Sequence, residues 1–321
     1  MMTISILALR NSVMASIADS RYVFTMVNQF LLRAGKEPLF DIRLVGNEKT
    51  ITLNDGLFSI HPDALLEDAD NNDLIIIPSL TGDMMSATHI NREYGHWIAQ
   101  QYKNGAEVAS LCSGAFLLAY SGILKGKQCT THWLYANEFK HFYPSVKLVD
   151  EKTVTHQNGV YSSGGSNAYW NLLIHLVEKY AGREMAIYTA KYFVIDFARD
   201  MQSPFIIFNG LKDHEDETII HAQQFIEANF SEKLNVDDLA KQFNVTRRTF
   251  ERRFKKATRN TVAEYIQRVK IEAAKRLLEG GRKTVSDIMY DVGYTDIQTF
   301  RDIFKRITGM TPVDYMNKYN R

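Results

Sequence analysis

The sequence is poor in the residues that staple small domains or hold metals. Two cysteines, Cys112 and Cys129, exclude a disulfide framework, and no Cys/His cluster has the spacing of a metal site. The nine histidines are scattered and read as surface or packing residues. No apolar run approaches the length of a membrane span, and Arg10, Asp19 and Arg21 interrupt the N-terminal apolar residues before they could form a signal-peptide core. These absences set the expectation of a cytoplasmic chain with no membrane partner, no metal and no cofactor. Charge of one sign is scarce as well. The formal net charge is only +1, which taken over the whole chain argues against a polyanionic partner.

That charge is unevenly spread. Residues 221–321 hold 20 Lys and Arg against 13 Asp and Glu, net +7, which leaves 18 against 24, net −6, for residues 1–220. At 321 residues, 45% of them hydrophobic and 12% aromatic, the chain has material for two domains. The second carries the positive footprint that binding to phosphate requires.

The basic charge is densest in residues 244–256. Phe250 and Phe254, four apart, mark one buried helical face, while Arg247, Arg248, Arg252, Arg253, Lys255 and Lys256 crowd the rest. A charge run is more often a solvated face than an interface, so its flanks decide. Upstream, Val236, Leu239, Ala240 and Phe243 mark a short helix capped by Asn235, Asn244-Val245 makes a tight turn, and Thr246 caps the basic helix. This is the helix-turn-helix plan. It recurs 49 to 50 residues on, with Val285, Ile288, Met289 and Val292, a Gly293-Tyr294 turn, and Thr295 as the cap of a helix carrying Phe300 and Phe304. Between the copies, 262–278 reads as one helix with Tyr265, Ile266, Val269, Ala273 and Leu277 inward, stopped by Gly280-Gly281. Such a rod would hold two recognition helices in fixed register.

The earlier part of the chain alternates strand and helix. Apolar runs at 3–9, 40–45, 58–60, 74–77 and 107–111 suit strands, a hairpin closes the set at 153–155 and 160–162, and helical spacing covers 22–34, 91–103, 167–180 and 183–199. The pattern predicts an α/β domain, its mostly parallel sheet sandwiched by helices, followed by an all-α domain with two helix-turn-helix motifs. The expected boundaries are 1–208, a linker at 209–217 marked by Gly210 and the acidic cluster Asp213, Glu215, Asp216 and Glu217, and 218–321.

One stretch of the first domain is chemically pointed. In 108–119 an apolar strand runs into Cys112, then Ser113-Gly114-Ala115, then an amphipathic helix. A cysteine on such a turn faces backbone N–H groups and the positive end of a helix dipole, which stabilise thiolate. The layout is that of a nucleophile elbow with Cys in place of Ser. Most free cysteines are small buried hydrophobes, but this setting aims Cys112 at a pocket. His132 is a candidate partner, weighed against a structural role for the same ring.

Taken together these residues resemble AraC-type transcription regulators whose first domain is DJ-1/PfpI-like, a flavodoxin-like fold shared with class I glutamine amidotransferases. Thr246, Arg248, Phe250, Arg252, Phe254 and Lys255 match the first helix-turn-helix, and Gly293-Tyr294, Phe300, Phe304-Lys305, Gly309, Thr311-Pro312 and Tyr315 the second. In the first domain Leu111 to Ala115, Gly122 to Gly126, Thr130 to Trp133 and Ser163 to Gly165 look like the regulator branch. Several positions depart. Ser16 stands where catalytic relatives carry an acidic residue, Ser79-Leu80 where paired glycines supply oxyanion-hole backbone, Asn171 where the regulator branch often has aspartate, and Asp302 where the family commonly has arginine.

The resemblance implies a DNA-binding transcription regulator, a homodimer that senses a small-molecule effector through a degenerate, non-catalytic first domain, with operator DNA and RNA polymerase as partners in the nucleoid. The pocket residues expected from it are Ser16, Ser79, Leu80, Cys112, Ser113, His132 and Gly164. The expected DNA-binding residues are Thr246, Arg247, Arg248, Arg252 and Lys255 in the first motif and Asp296, Ile297, Gln298, Arg301, Lys305 and Arg306 in the second. The alternative is a cysteine-dependent hydrolase or hydratase, or a redox sensor, centred on Cys112 and fused to the same DNA-binding part.

Overall fold

The structure, a computed structural model, describes residues 1–196 and 201–320. The chain divides into two compact units, Met1–Gln202 and Ser203–Arg321.

The first unit runs β1 (Met2–Leu7), α1 (Met14–Arg33), β2 (Phe40–Gly46), a small hairpin of β3 (Ile51–Leu53) and β4 (Phe58–Ile60), β5 (Ala64–Leu65), β6 (Leu74–Ile77), α2 (Met84–Ile90) and α3 (Arg92–Lys103). It continues with β7 (Glu107–Ser110), α4 (Ala115–Tyr120), β8 (Gln128–Cys129), α5 (Ala136–Phe142), β9 (Lys147–Leu148), β10 (Val154–Gln157), β11 (Val160–Ser163), α6 (Tyr169–Ala181) and α7 (Arg183–Phe193). The described residues form a sheet of order β10-β11-β7-β6-β1-β2-β5. Every neighbouring pair in it is parallel except β10 with β11.

Continuous apolar runs suit this sheet because side chains alternate between two covered faces. In β6, Leu74 and Ile76 join α1 and α6 through Val23, Phe24, Val27, Leu172 and Leu176. Ile75 and Ile77 point the other way, to Met84, Tyr94, Ile98, Phe116 and Phe139 on α2 to α5. Burying each such side chain stabilises by about 1.5–3 kcal/mol.

The second unit is helical: α8 (Glu217–Ala228), α9 (Val236–Gln242), α10 (Arg247–Thr258), α11 (Val262–Glu279), α12 (Val285–Asp291), α13 (Ile297–Thr308) and α14 (Pro312–Tyr319). Helix α11 serves two cores. Its Val262, Tyr265 and Ile266 pack with Phe250 and Phe254, and its Ile271, Ala274 and Leu278 pack with Phe300, Phe304 and Tyr315. The repeat is therefore α8 to α11 followed by α11 to α14, with α11 shared. It extends to single bonds: Tyr265 donates its hydroxyl to Glu227 at the end of α8, 2.6 Å, and Tyr315 donates to Glu279 at the end of α11, 2.7 Å.

Four expectations shift. Helix α1 starts at Met14 rather than 22, because Ser16 and Ser20 donate to the carbonyls of Val13 and Ser16 and so enter a buried helical face despite their polarity. Helix α7 stops at Phe193, where Val194 takes a left-handed φ of 55°, and 197–199 of the expected helix lie outside the described residues. Helix α13 is capped by Asp296, which accepts the Thr299 N–H at 2.7 Å, and not by Thr295. The segment expected as a linker, 209–217, belongs to the second unit. The Phe208 N–H donates to Glu272, the Leu211 carbonyl accepts from Gln223 at 2.9 Å, and Asp216 caps α8 while pairing with Arg253. Its acidic side chains lower the contrast in charge, since residues 203–321 hold 21 basic against 17 acidic groups. The sequence pattern gives no separate element for the short β3, β5, α2, β8, α5, β9 and α14.

Candidate functional site

Four parallel strands of the first unit, β1, β6, β7 and β11, end on one edge of the sheet, where open α/β folds bind ligands. The chain leaves β1 toward Ser16, β6 toward Ser79-Leu80, β7 toward Cys112-Ser113 and β11 toward Gly164. Topology thus brings six of the seven expected pocket residues to one edge, and all six are buried. Cys112 takes φ 53°, the left-handed conformation of a strained elbow. The turn closes only because residue 114 is glycine, where a Cβ would lie 2.5 Å from the Pro78 carbonyl oxygen.

The groups around Cys112 are bonded to one another. Ser16 Oγ accepts the Ser79 N–H at 3.0 Å, and Ser113 Oγ accepts the Leu80 N–H at 2.9 Å while donating to the Leu80 carbonyl at 2.6 Å. The Cys112 N–H goes to Ser163 Oγ, 3.1 Å, and its carbonyl accepts from Thr131 Oγ1, 3.0 Å. Burial pushes the Cys112 thiol above its ordinary pKa, outweighing the Ser113 N–H and the Ser79 and Ser113 hydroxyls, which pull it down. His132 Nδ1 accepts the Leu134 N–H at 3.1 Å, which places the neutral ring's proton on Nε2. Burial lowers the His132 pKa and favours that neutral form.

Two residues of this region escaped the sequence reading. Gln202 is buried against the Gly164-Gly165 turn: its Oε1 accepts the Gly165 N–H at 2.9 Å, and its Nε2 donates to the carbonyls of Thr131 and Asp150 at 3.0 and 2.8 Å. A Cβ at Gly164 would sit 2.6 Å from that amide. Asp19 accepts the Tyr169 hydroxyl at 2.6 Å, and burial, together with that carboxylate, pushes the Tyr169 pKa up. Neither follows from spacing, because the partners lie tens to over a hundred residues away.

In the second unit α10 and α13 present exposed basic faces opposite their phenylalanines. Arg247 is engaged by Asp237 at 3.0 Å and Glu251 at 3.2 Å, and Arg253 by Asp216 at 2.6 Å. Arg248, Arg252, Arg301 and Lys305 are exposed and have no ion pair among the described residues. Lys255 is exposed as well. Thr246 and Asp296 are helix caps. Ile297 lies half-buried against the second core, Gln298 donates to Asp302 at 2.9 Å, and Arg306 donates to Gln267 on α11 at 2.6 Å.

Comparison with known families assigns both units. The DJ-1/PfpI family model matches residues 29–179, and a helix-turn-helix domain model matches residues 239–318. The HTH-type transcriptional regulator GbdR of Pseudomonas aeruginosa is 26% identical over 316 residues, spanning 97% of this chain and 83% of that protein. The chain is an AraC-type transcriptional regulator with an N-terminal DJ-1/PfpI domain. The HTH-type transcriptional regulator ArgR of the same organism is 24% identical over 222 residues, 69% of this chain and 67% of that protein. Among solved structures, an AraC family transcriptional regulator from Pseudomonas putida shares the fold with a TM-score of 0.51 at 17% identity, covering 60% of this chain and all of that one. The described residues of this regulator contain no helix long and apolar enough to cross a membrane.

A buried lysine holds the second motif of this AraC-type regulator and also went unread. Lys270 of α11 donates to the carbonyls of Val292 at 3.0 Å and Gly293 at 3.2 Å, and it reaches the Glu232 carbonyl as well. Gly293, at φ 75°, has the Ser231 carbonyl oxygen 2.1 Å from where a Cβ would be. No larger residue fits that turn.

Proposed function

We propose that this regulator binds a specific operator through α10 and α13, and that its DJ-1/PfpI unit senses a small molecule without catalysing a reaction on it. The observation that carries the DNA reading is the pair of recognition helices built on one shared rod, each offering exposed basic side chains unclaimed by the protein's own carboxylates. The N-terminal residues of such helices meet base edges in the major groove, and two motifs bound to one face of the duplex read elements one turn apart, about 34 Å. Arg248 and Arg252 are the base readers of the first helix, and Lys255 and Lys305 hold phosphate.

The effector reading rests on the wiring of the sheet edge. The Ser79 and Leu80 N–H groups stand where a reaction would need free donors for an oxyanion, yet Ser16 and Ser113 already hold them. The thiol that would attack is raised in pKa, where a nucleophilic cysteine needs a lowered one. With its donors held and its thiol neutral, the edge is left to binding rather than to bond-making. Dimerisation and contact with RNA polymerase complete the reading as it applies to transcription.

The test is selection of bound duplexes from a random library by the full-length protein at a stated salt concentration, followed by footprinting. A protected site with two elements one helical turn apart is expected, and Arg248→Ala should weaken it by about 1–3 kcal/mol. Enrichment of no motif would remove the regulator reading.

A further inference from the structure

The two recognition helices are the same scaffold with different chemistry on the reading face. Helix α10 and helix α13 have the same length and an offset of 50 residues, which superposes Phe250 on Phe300, Phe254 on Phe304 and Thr258 on Thr308. The same offset sets Gln298 where α10 has Arg248 and Asp302 where α10 has Arg252. Each pair is four residues apart and shares one exposed stripe of its helix. The first stripe is two guanidinium groups, which only donate hydrogen bonds. The second is an amide and a carboxylate, which is rich in acceptors.

The amide is held. Gln298 Nε2 donates to Asp302 Oδ1 at 2.9 Å. A carboxylate only accepts, so the amide nitrogen and not its oxygen must face Asp302, which settles an orientation that a free glutamine leaves open. One N–H and the carbonyl oxygen of Gln298 remain for the groove. That donor and acceptor match adenine, whose edge offers the N7 acceptor beside the N6 donor. Guanine presents two acceptors, O6 and N7, and sets O6 against the glutamine oxygen. Cytosine offers its N4 donor alone, and thymine an acceptor and a methyl group.

Resting on the regulator reading above, we infer that Asp302 is a specificity residue. It locks the Gln298 amide so that α13 reads adenine, while the paired arginines of α10 read guanine. The operator then has unlike half-elements, and the internal repeat of the protein gives binding a direction along the DNA. Asp302 positions and does not itself contact the base, and its carboxylate lowers attraction to phosphate in exchange for selectivity.

The test is random-library selection with the full-length chain and two variants at one salt concentration. The parent should enrich guanine in one element and adenine in the other, one helical turn away. Asp302→Ala should keep the guanine element and lose roughly tenfold of the adenine preference. Q298R/D302R, which rewrites the α13 stripe as that of α10, should exchange adenine for guanine at the same position. Because all four side chains are exposed, thermal melts of the variants should match the parent. An adenine preference untouched by Asp302→Ala, or a guanine at that position in the parent, would overturn the lock while leaving the regulator reading intact. A parent library with no enriched motif would overturn both.

Discussion

Two side chains, Tyr294 and Cys112, show how burial sets chemistry residue by residue. Tyr294 packs its ring 5.5 Å from Phe300, with the Lys270 ammonium 5.4 Å from its ring centre, yet its buried hydroxyl has no partner among the described residues. Burial pushes its pKa up to about 12. Tyr294→Phe keeps every ring contact and removes a polar group that costs free energy where it stands. Its urea midpoint should be unchanged or higher, by up to about 1 kcal/mol in stability. Clear destabilisation would mean the hydroxyl has a function. For Cys112 the direction of the shift fixes the pH profile. A raised pKa keeps the thiol protonated at neutral pH, and thiolate grows about tenfold per pH unit through and beyond the ordinary value near 8.5. Alkylation of Cys112 followed by mass spectrometry should therefore accelerate steadily across that range. A rate that levels off below pH 8 would instead mark an activated nucleophile and favour the enzymatic alternative. Cys129, pushed up to about 12 by complete burial, is the internal control and should stay unmodified.

Among the elements, α11 does the most to organise the DNA-binding unit. Its two halves belong to the two cores, its Lys270 pins the second turn, and its Lys275 and Glu272 hold the segment that enters the unit. Lys275 donates to the Ile206 carbonyl at 2.6 Å and to Glu272 at 2.8 Å, and Glu272 accepts the Phe208 N–H at 3.1 Å. Both side chains are buried. Lys275→Met would leave a buried carboxylate without its cation, which costs about 3–5 kcal/mol. Adding Glu272→Leu removes the stranded charge and should recover a large part of that loss. The pair of denaturation curves checks this, and a single variant as stable as the parent would show that Lys275 is dispensable. The register of the two motifs was legible from phenylalanine spacing and from the turns at Asn244-Val245 and Gly293-Tyr294. The role of Lys270 and Lys275 was not, because a lysine in a helical pattern reads as a solvated residue until its neighbours are known.

Across the whole molecule, charge is partitioned more finely than the sequence halves suggest. The acidic run at 213–217 folds onto the basic unit, where Asp216 takes Arg253 and Lys212 takes Glu227. That consumes cations on one part of the unit while leaving the faces of α10 and α13 open. DNA affinity should fall with salt in proportion to the phosphates neutralised. A Lys255→Ala/Lys305→Ala variant should lower the slope of log K against log salt by about 2 and weaken binding evenly across operator variants. A slope that does not change would take both lysines off the phosphate backbone.

The sequence by itself determined the order of the long elements. Apolar runs gave the central strands, helical spacing of paired phenylalanines gave α10 and α13, and the strand-to-helix turn at Cys112 located the sheet edge, all because these signals are local and periodic. Even the Gln298 and Asp302 contact is a four-residue helical spacing. Only the tertiary structure decided which groups were left free. It set Ser16 on the Ser79 N–H, Gln202 against the Gly164-Gly165 turn, Asp19 on Tyr169 and Lys270 beneath the second turn. Each of those bonds joins residues 22 to 150 positions apart. A polar side chain in a sequence carries no mark of the partner it will find. The satisfaction of buried donors and acceptors, on which the non-catalytic reading of the Cys112 edge rests, emerges only when the distant strands have been brought together.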